Sequence, residues 1–333
     1  MYYHLKIYFT CSISPCINIT NTRGVYILKI DAVFESGGMR GIGIVGAINC
    51  MENQGCEFQR VAGSSAGAVI AALIAAGYSA RQIRKMLVEI SFLKFMDKDK
   101  LQRLPILGKP LGIIKEKSLY SGDYLQSFMD NLLKHKGISK FKDVYVNGEY
   151  KLKIIASDIT NKKSLVIPDD LPNYGIDPME FSISKAVRMS SSIPFYFKPV
   201  QLHTPAGIAY IVDGSVTCNF PLTIFDVDSI PRWPTIGFRF EMTNTNMNIL
   251  KTNNSLSFLF SVAQNMCNKN TSEYLNEENL IRSVIIPTFG VSPTDFNLSK
   301  ETAIHLYKSG YNSAKNFLSN WDFQKYINKY RYN

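Results

Sequence analysis

The chain has 333 residues, of which 46% are hydrophobic and 19% are charged, a composition typical of a folded protein and not of a disordered one. Its 37 Lys and Arg residues outnumber 27 Asp and Glu residues, so the formal net charge is +10 at pH 7. No run of five basic residues occurs, so we expect an anionic membrane surface as the partner and not a nucleic acid. No apolar run reaches the roughly 18 residues that span a bilayer, so no integral membrane segment is predicted.

The ends of the chain and its cysteines bear on localisation. The six cysteines form no Cys-x-x-Cys pair, which favours reduced thiols and a cytoplasmic protein, peripheral at membranes. We interpret residues 1–25 as a poorly defined N-terminal extension, because polar residues interrupt its apolar run and no Ala-x-Ala-like site follows. A signal peptide is the alternative, so secretion stays open. One domain is predicted over residues 26–318, followed by a C-terminal tail over residues 319–333.

The first third of the domain predicts alternating strands and helices. A strand over residues 26–34 leads through a glycine-rich turn to a helix over residues 42–53. A second strand over residues 58–63 then leads into a helix of small residues that ends near Gly77. This order predicts a parallel sheet covered by helices.

Further elements follow along the chain. Helices are predicted from Ser79, which opens a capping box, and over residues 124–134, 178–189, 256–267 and 300–318. Strands are predicted over residues 151–157, 164–168, 200–203, 208–212, 235–240 and 282–286. Proline and glycine interrupt the basic, apolar segment 98–117, which we interpret as a surface loop, with a lid or a lipid-contacting loop as the functional alternative.

The sequence Gly63-Ser64-Ser65-Ala66-Gly67 lies between a predicted strand and a predicted helix. In a Gly-x-Ser-x-Gly turn the serine hydroxyl is exposed at the top of a sheet, and the glycines permit close backbone approach. The N–H groups and the positive dipole end of the helix N-terminus favour a developing anion there. We therefore predict Ser65 as a nucleophile, with a glycine-rich helix start as the alternative.

Residues 41–46 spell Gly-x-Gly-x-x-Gly after a strand, which is the pattern of dinucleotide-binding proteins. Such a site requires a carboxylate at the end of the second strand, and none is present there. Gly43 and Gly46 instead fall inside the predicted helix, where they permit close packing. We do not expect dinucleotide binding.

A serine nucleophile requires a base, and histidine is the usual one. The histidines of the chain are His4, His135, His203 and His305. His305, which we place on the inner side of the last helix, completes a Ser-Asp-His order, but plain helix surrounds it. Asp213 is the better candidate because it ends an apolar strand and precedes Gly214, so its carboxylate emerges beside a tight turn. A turn without catalytic role is the alternative.

The first glycine-rich loop contains candidates for an oxyanion hole. Gly37, Gly38 and Met39 can present backbone N–H donors to a tetrahedral oxyanion beside the Ser65 turn. Arg40 either orders this loop or meets an anionic headgroup.

The loop of residues 36–41, the turn of residues 63–67 and the late Asp213-Gly214 together resemble patatin-like phospholipases in order and spacing. Residues 190–199 are similar to the Ser-rich segment that precedes Asp-Gly in that family. The resemblance covers roughly residues 26–318, and the three motifs combined are far more specific than any one of them.

The resemblance implies a three-layer α/β/α fold with a mainly parallel central sheet and a Ser-Asp dyad without histidine. By this resemblance Ser65 is the nucleophile, Asp213 is the general base, and Gly37, Gly38 and Met39 form the oxyanion hole. The residues that support the motifs are Arg40, Gly41, Gly63, Gly67 and Gly214. We expect a lipid acyl hydrolase of the phospholipase A type, with no metal and no cofactor.

Two positions depart from the family pattern. Ser36 replaces the first glycine of the loop, and Ser215 stands where Ala or Gly is usual. Neither change removes a catalytic side chain. A catalytically weak or inactive relative that binds lipid is therefore the alternative function, and the oligomeric state is not predicted.

Overall fold

The computed structural model describes residues 28–89, 92–95, 97, 118–241, 276–293, 295 and 297–330. The N-terminal extension, the segment 98–117 and the predicted helix over residues 256–267 lie outside the described residues. The helices are α1 (Gly41–Asn53), α2 (Ala66–Ala75), α3 (Ala80–Glu89), α4 (Asp123–His135), α5 (Ile183–Ser190), α6 (Glu277–Ile281), α7 (Lys300–Asn320) and α8 (Phe323–Tyr330).

The strands up to residue 167 are β1 (Leu28–Phe34), β2 (Cys56–Ser64), β3 (Ser118–Tyr120), β4 (Tyr145–Val146), β5 (Glu149–Tyr150), β6 (Leu152–Asp158) and β7 (Lys163–Ile167). They are followed by β8 (Phe195–Phe197), β9 (Val200–Thr204), β10 (Gly207–Asp213), β11 (Thr235–Phe240) and β12 (Ser283–Ile286).

The central sheet has the order β12-β11-β1-β2-β6-β10-β9, and β7 also pairs with β6. The five strands from β12 to β6 are parallel to their neighbours, whereas β7, β9 and β10 pair antiparallel. Helices flank the sheet in an α/β/α arrangement. The predicted three-layer fold with a mainly parallel sheet is confirmed.

Strand β6 determines where the motifs meet. β7 pairs with β6 along residues 154–158 and so takes one edge of that strand. β2 pairs with β6 as far as Ile155, opposite Ser64, and β10 pairs with the next residue, Ala156, opposite Asp213. Because a strand has two edges, β2 and β10 share the second one and meet end to end. Ser65, the first residue beyond β2, therefore lies beside Asp213.

Side chains of the central strands alternate between the two faces of the sheet, as the pleat requires. Ile30, Ala32 and Phe34 belong to the main core, which the residues of α1 and α2 also form. Val33 and Ala62 point to the other face and pack against the segment that contains Phe220, Leu222 and Phe225. Both faces of the central strands are therefore covered, as parallel sheets require.

Helices α1 and α7 pack closely because glycines face the partner helix. A Cβ added to Gly46 would lie 1.9 Å from the carbonyl oxygen of Tyr307, and one added to Gly310 would lie 1.8 Å from that of Gly43. All glycines of the Gly-x-Gly-x-x-Gly pattern lie within α1. The packing role predicted for Gly43 and Gly46 is confirmed, because an added Cβ at either position would lie 3.3 Å or less from a backbone oxygen of α7.

The structure differs from the prediction at two elements. Helix α5 begins at Ile183 and not at residue 178, because the Ser182 side chain accepts a hydrogen bond from the Lys185 N–H and caps the helix there. The short β4–β5 hairpin was not predicted. Its turn is Asn147-Gly148, with φ of 54° and 85°, the conformation that this dipeptide favours.

The end of the chain, predicted as a tail, contains α8. Its Phe323, Tyr326 and Ile327 are buried in a small cluster of their own. Lys329 pairs with Glu277 of α6 at 3.0 Å, so α8 is held against α6. None of the helices in the described part of the chain is long and apolar enough to span a membrane.

Candidate active site

Ser65 occupies the turn between β2 and α2 in a strained backbone conformation. Its φ of 52° and ψ of −118° lie in a region that residues other than glycine rarely adopt. A Cβ added to Gly63 would lie 2.3 Å from the Gly67 carbonyl, and one added to Gly67 would lie 2.3 Å from the Phe34 oxygen. The two glycines therefore let the turn close and bring it against the end of β1.

The hydroxyl of Ser65 points at the carboxylate of Asp213. Ser65 Oγ donates a hydrogen bond to Asp213 Oδ2 at 2.6 Å, across 148 positions of sequence. Ser65 is 6% exposed and Asp213 is fully buried. Gly214 permits this placement, because a Cβ there would lie 2.2 Å from the Ile155 carbonyl oxygen. The pair has the geometry of a nucleophile and its base.

Ser215 holds the other oxygen of the carboxylate. Its N–H and its Oγ donate to Asp213 Oδ1 at 2.9 and 2.6 Å. Burial raises the pKa of Asp213 from its ordinary value of 3.8 to about 6, while the hydrogen bonds from Ser215 and Ser65 lower it. Within the described part of the chain, no charged group contributes to this shift. The departure at Ser215 therefore adds a donor to the carboxylate.

The Ser-rich segment supports both members of the pair. The Ser65 N–H donates to Ser190 Oγ at 2.8 Å, and Ser190 Oγ donates to the carbonyl of Ile155. The N–H of Asp213 donates to the carbonyl of Ser192 at 2.9 Å. Sequence reasoning singled out this segment by family resemblance but assigned its serines no role. These serines connect the Ser65 turn and the end of β10 to one short stretch of chain.

Arg188 braces the same segment from inside the protein. It is 3% exposed, and its guanidinium donates to Ser192 Oγ and to the carbonyls of Ser121 and Lys198. Gly122 accommodates it, because a Cβ there would lie 2.5 Å from Arg188 Cζ. Arg188 was not among the predicted site residues, and no local signal marks it.

The glycine-rich loop lies beside the Ser65 turn. Gly38 has a φ of 53°, and a Cβ there would lie 2.0 Å from the Pro293 carbonyl oxygen. The N–H groups of Gly37, Gly38 and Ala66 have no acceptor among the described residues, so they are available to an oxyanion. The Met39 N–H instead donates to Pro293 O at 2.9 Å. Met39, predicted as a third donor, is therefore occupied in this structure.

Ala66 is a donor candidate that the prediction left out. It directly follows Ser65, at the first position of α2, where no intrahelical partner exists for its N–H. The signal was present, because the residue after the nucleophile supplies an oxyanion donor in other Gly-x-Ser-x-Gly enzymes.

Arg40 orders the glycine-rich loop. Its Nε donates to the Gly37 carbonyl at 3.3 Å, and its guanidinium lies 4.8 Å from the centre of the Phe240 ring. The neighbouring Glu35 is buried and accepts the Phe240 N–H at 2.6 Å. Burial raises the pKa of Glu35, and the positive charges of Arg239 and Arg40 lower it. The loop is thus connected to β11 through charge and hydrogen bonds.

The departure at Ser36 has no conformational cost. Ser36 is not among the residues with positive φ, so a side chain is compatible with its backbone. Its N–H donates to the Asn219 carbonyl at 3.0 Å. The glycines that the loop needs by conformation or space are Gly37 and Gly38, and both are present.

A cavity of about 450 Å³ opens onto Ser65. This volume lies within the range of about 300–1,000 Å³ that ligand sites occupy. The walls are mainly apolar and include Met39, Ile70, Leu125, Phe128, Ile193 and Phe197. Such walls suit a hydrocarbon chain.

The histidines take no part in this arrangement. His135, His203 and His305 are exposed, and none of them bonds to Ser65 or Asp213; His4 lies outside the described residues. The placement of His305 on the inner side of the last helix is wrong, because it lies on the solvent face of α7. Over the described ranges, no group of three or more His, Cys, Asp or Glu residues could hold a metal ion.

Comparison with known proteins decides the family. The family model "Patatin-like phospholipase" matches residues 32–226, which include both Ser65 and Asp213. The chain belongs to the patatin-like phospholipase family. Membership of this family supports lipid hydrolase activity.

Two sequence relatives and one solved structure resemble this patatin-like chain over different shares of its length. The protein YqhO of Bacillus subtilis (strain 168) is 34% identical over 297 residues, which cover 89% of this chain and 100% of YqhO. The probable lipid hydrolase 463L of Invertebrate iridescent virus 6 is 26% identical, over 58% of this chain and 61% of that protein. The crystal structure of VipD from Legionella pneumophila has a TM-score of 0.50 and 18% identity, covering 91% of this chain and 70% of that chain. VipD therefore supports the fold alone.

Proposed function

We propose that this protein hydrolyses fatty-acyl esters of lipids, as a phospholipase A-type enzyme, through an acyl-enzyme on Ser65. The observation that carries the proposal is the hydrogen bond of 2.6 Å from Ser65 Oγ to the buried Asp213 carboxylate. Burial raises the pKa of Asp213 to about 6, so its carboxylate is a stronger base than an exposed aspartate and is still mostly ionised at pH 7.

The first half-reaction forms the acyl-enzyme. Asp213 Oδ2 takes the Ser65 proton while Oγ bonds to the ester carbonyl carbon. The N–H groups of Gly37, Gly38 and Ala66 donate to the resulting oxyanion. Collapse of this intermediate breaks the bond to the alcohol, and the proton held by Asp213 passes to the leaving oxygen.

The second half-reaction releases the fatty acid. A water molecule gives its proton to Asp213 as its oxygen bonds to the acyl carbon, and the same donors stabilise the second oxyanion. The bond to Ser65 Oγ then breaks, and the proton returns from Asp213 to the serine. The apolar cavity walls hold the acyl chain during both steps.

The structure weakens the alternative, a lipid-binding relative without catalytic activity. It depended on the departure at Ser36, on the positive net charge and on segment 98–117. The backbone of Ser36 accommodates its side chain without strain, and segment 98–117 lies outside the described residues. The proposed enzyme is therefore the better-supported function.

Labelling with a fluorophosphonate probe, together with release of fatty acid from phospholipid, tests the proposal. Wild-type protein is expected to be labelled and active, and Ser65→Ala to be neither. Ser191→Ala is the matched control, because Ser191 lines the same cavity but its hydroxyl has no hydrogen-bond partner among the described residues. Folded wild-type protein that binds liposomes without labelling or fatty-acid release would favour the alternative.

A further inference from the structure

The cavity has a buried end and an exposed rim. Ser65 at the buried end is 6% exposed. The rim is formed by α3 and the start of α7, where Arg84, Lys300 and Ile304 are exposed. Arg84 and Lys300 are charged, and no carboxylate lies among the described residues that line the cavity.

These two cations have no ion-pair partner within the described ranges. Other basic side chains of the protein do: Arg60 pairs with Asp31, and Arg282 pairs with Asp226, each at 2.6 Å. Two positive charges without a carboxylate, at the rim of an otherwise apolar cavity, leave an anion as the complementary ligand.

Arg84 is held in place by the cavity wall. Its guanidinium lies 4.5 Å from the centre of the Tyr307 ring, which itself lines the cavity and is 8% exposed. A cation over an aromatic face is oriented but not neutralised, because the ring carries no net charge. The guanidinium also hydrogen-bonds to the Tyr307 hydroxyl, and a planar guanidinium has further N–H donors that can bind phosphate oxygens.

We infer that Arg84 and Lys300 bind an anionic phosphate group of the lipid ester whose carbonyl reaches Ser65. This inference rests on the proposed phospholipase activity and deepens it, since it names the two residues that recognise the phosphate of the substrate and so favour phosphate-bearing lipids over neutral acylglycerols. The apolar walls bind the acyl chain, and the two cations of the rim bind the phosphate.

The test uses three short-chain substrates below the concentration at which they aggregate: a phosphatidylglycerol, a phosphatidylcholine and the matching diacylglycerol. Wild-type protein is expected to hydrolyse the two phosphate-bearing esters with the higher kcat/KM. The double variant Arg84→Gln/Lys300→Gln is expected to lose on the order of tenfold on those two, and to stay within about twofold on the diacylglycerol.

The matched control is Arg81→Gln/Lys308→Gln. It removes the same two charges from exposed positions of α3 and α7 that do not line the cavity. This control is expected to behave as the wild type on all three substrates. If it loses the same activity, overall charge and not the rim is responsible, and the inference is wrong.

Other results separate the inference from the proposed function. Equal loss of the rim variant on all three substrates would overturn the inference, as would no loss at all. The rim variant is also assayed on vesicles of the anionic phosphatidylglycerol. If its activity falls on these vesicles and not on dispersed substrate, the two cations bind the membrane surface, and the inference is wrong. If Ser65→Ala retained the wild-type activity, the proposed function itself would fail, whatever the rim variant does.

Discussion

Two buried aspartates of the same sheet differ in what surrounds their charge. Asp31 in β1 and Asp213 at the end of β10 are both fully buried, and burial raises the pKa of each. Arg60 donates to Asp31 from Nε at 3.1 Å and from Nη2 at 2.6 Å. Asp213 receives hydrogen bonds from the hydroxyls of Ser65 and Ser215 and from one N–H, all of them uncharged donors.

The difference separates a carboxylate that is paired with a cation from the carboxylate that we propose as the general base. Burial raises the pKa of Asp31, and the Arg60 cation beside it lowers that pKa and so offsets part of the cost of burying the charge. Asp213 has no cation beside it among the described residues, so the energetic cost of burying its charge is offset less. Its pKa therefore rises to about 6. The proton it can take belongs to Ser65. The four predictions below test this contrast.

The largest effect is expected at Asp213. Asp213→Asn removes the base, so kcat/KM should fall by about 10³-fold or more. Stability should not fall, because the folded-state pKa lies above the ordinary 3.8. Ionisation of Asp213 therefore lowers the free energy of unfolding as pH rises from 3.8 to about 6, and the amide avoids this cost at pH 7.

Esterase assays and thermal unfolding at pH 7 check both halves of this prediction. The melting temperature of Asp213→Asn is expected to equal or exceed that of the wild type. An unfolded or strongly destabilised variant would mean that the carboxylate holds the fold together, and the contrast with Asp31 would fail.

At Asp31 the opposite pattern is expected. Asp31→Asn removes the closer ion-pair partner of Arg60, which is 23% exposed, and leaves only the longer pair with Glu149 at 3.6 Å, so the free energy of unfolding should fall by about 2 kcal/mol. The kcat/KM of the folded variant should stay near the wild-type value, since Asp31 hydrogen-bonds to Arg60 and Pro234, which do not line the cavity. Urea unfolding and the esterase assay measure the two quantities separately, and a large drop in kcat/KM of the folded variant would contradict the assignment.

The two aspartates were not equally predictable from the sequence. Asp213 ends an apolar strand before a glycine and belongs to a family motif, so it was singled out. Asp31 lies inside a predicted strand and carries no such signal. Its partner Arg60 becomes available through an irregularity of the β1–β2 pairing between Ile30 and Ala32, which depends on tertiary structure.

In the rest of the molecule, too, local sequence patterns predicted some features, while others depend on tertiary contacts. The mainly parallel sheet and most elements followed from hydrophobic periodicity, and the fold was confirmed. The contact of Met39 N–H with Pro293 spans more than 250 positions, so no local pattern could show it. Strands β3 and β8 have three residues each, which is too short for a detectable periodicity, and they pair with each other across about 77 positions of sequence.

A smaller effect is expected from backbone strain at Ser65. Glycine tolerates its φ of 52° better than alanine does, so Ser65→Gly should be about 1 kcal/mol more stable than Ser65→Ala. Both variants lack the hydroxyl and should be inactive. At Ser36, which has an ordinary φ, the order should reverse, and Ser36→Gly should be less stable than Ser36→Ala. The same order at both positions would exclude strain as the cause.

The smallest effect is a shift in pH dependence at Ser215. Its Oγ donates to Asp213 Oδ1 at 2.6 Å and lowers the pKa of the carboxyl, so Ser215→Ala should raise that pKa above about 6. Because the base must be ionised, the acid limb of kcat/KM against pH should move to higher pH, while the plateau at high pH changes less.

Ser215→Thr retains the hydroxyl and should restore the wild-type profile, which separates the hydrogen bond from a loss of packing. An unshifted acid limb in Ser215→Ala would show that the backbone N–H of residue 215 suffices to hold the charge. The contrast between the two aspartates would then depend on the missing cation alone. A shifted limb would show that a neutral hydroxyl tunes Asp213, as the Arg60 guanidinium does for Asp31, but without cancelling its basicity.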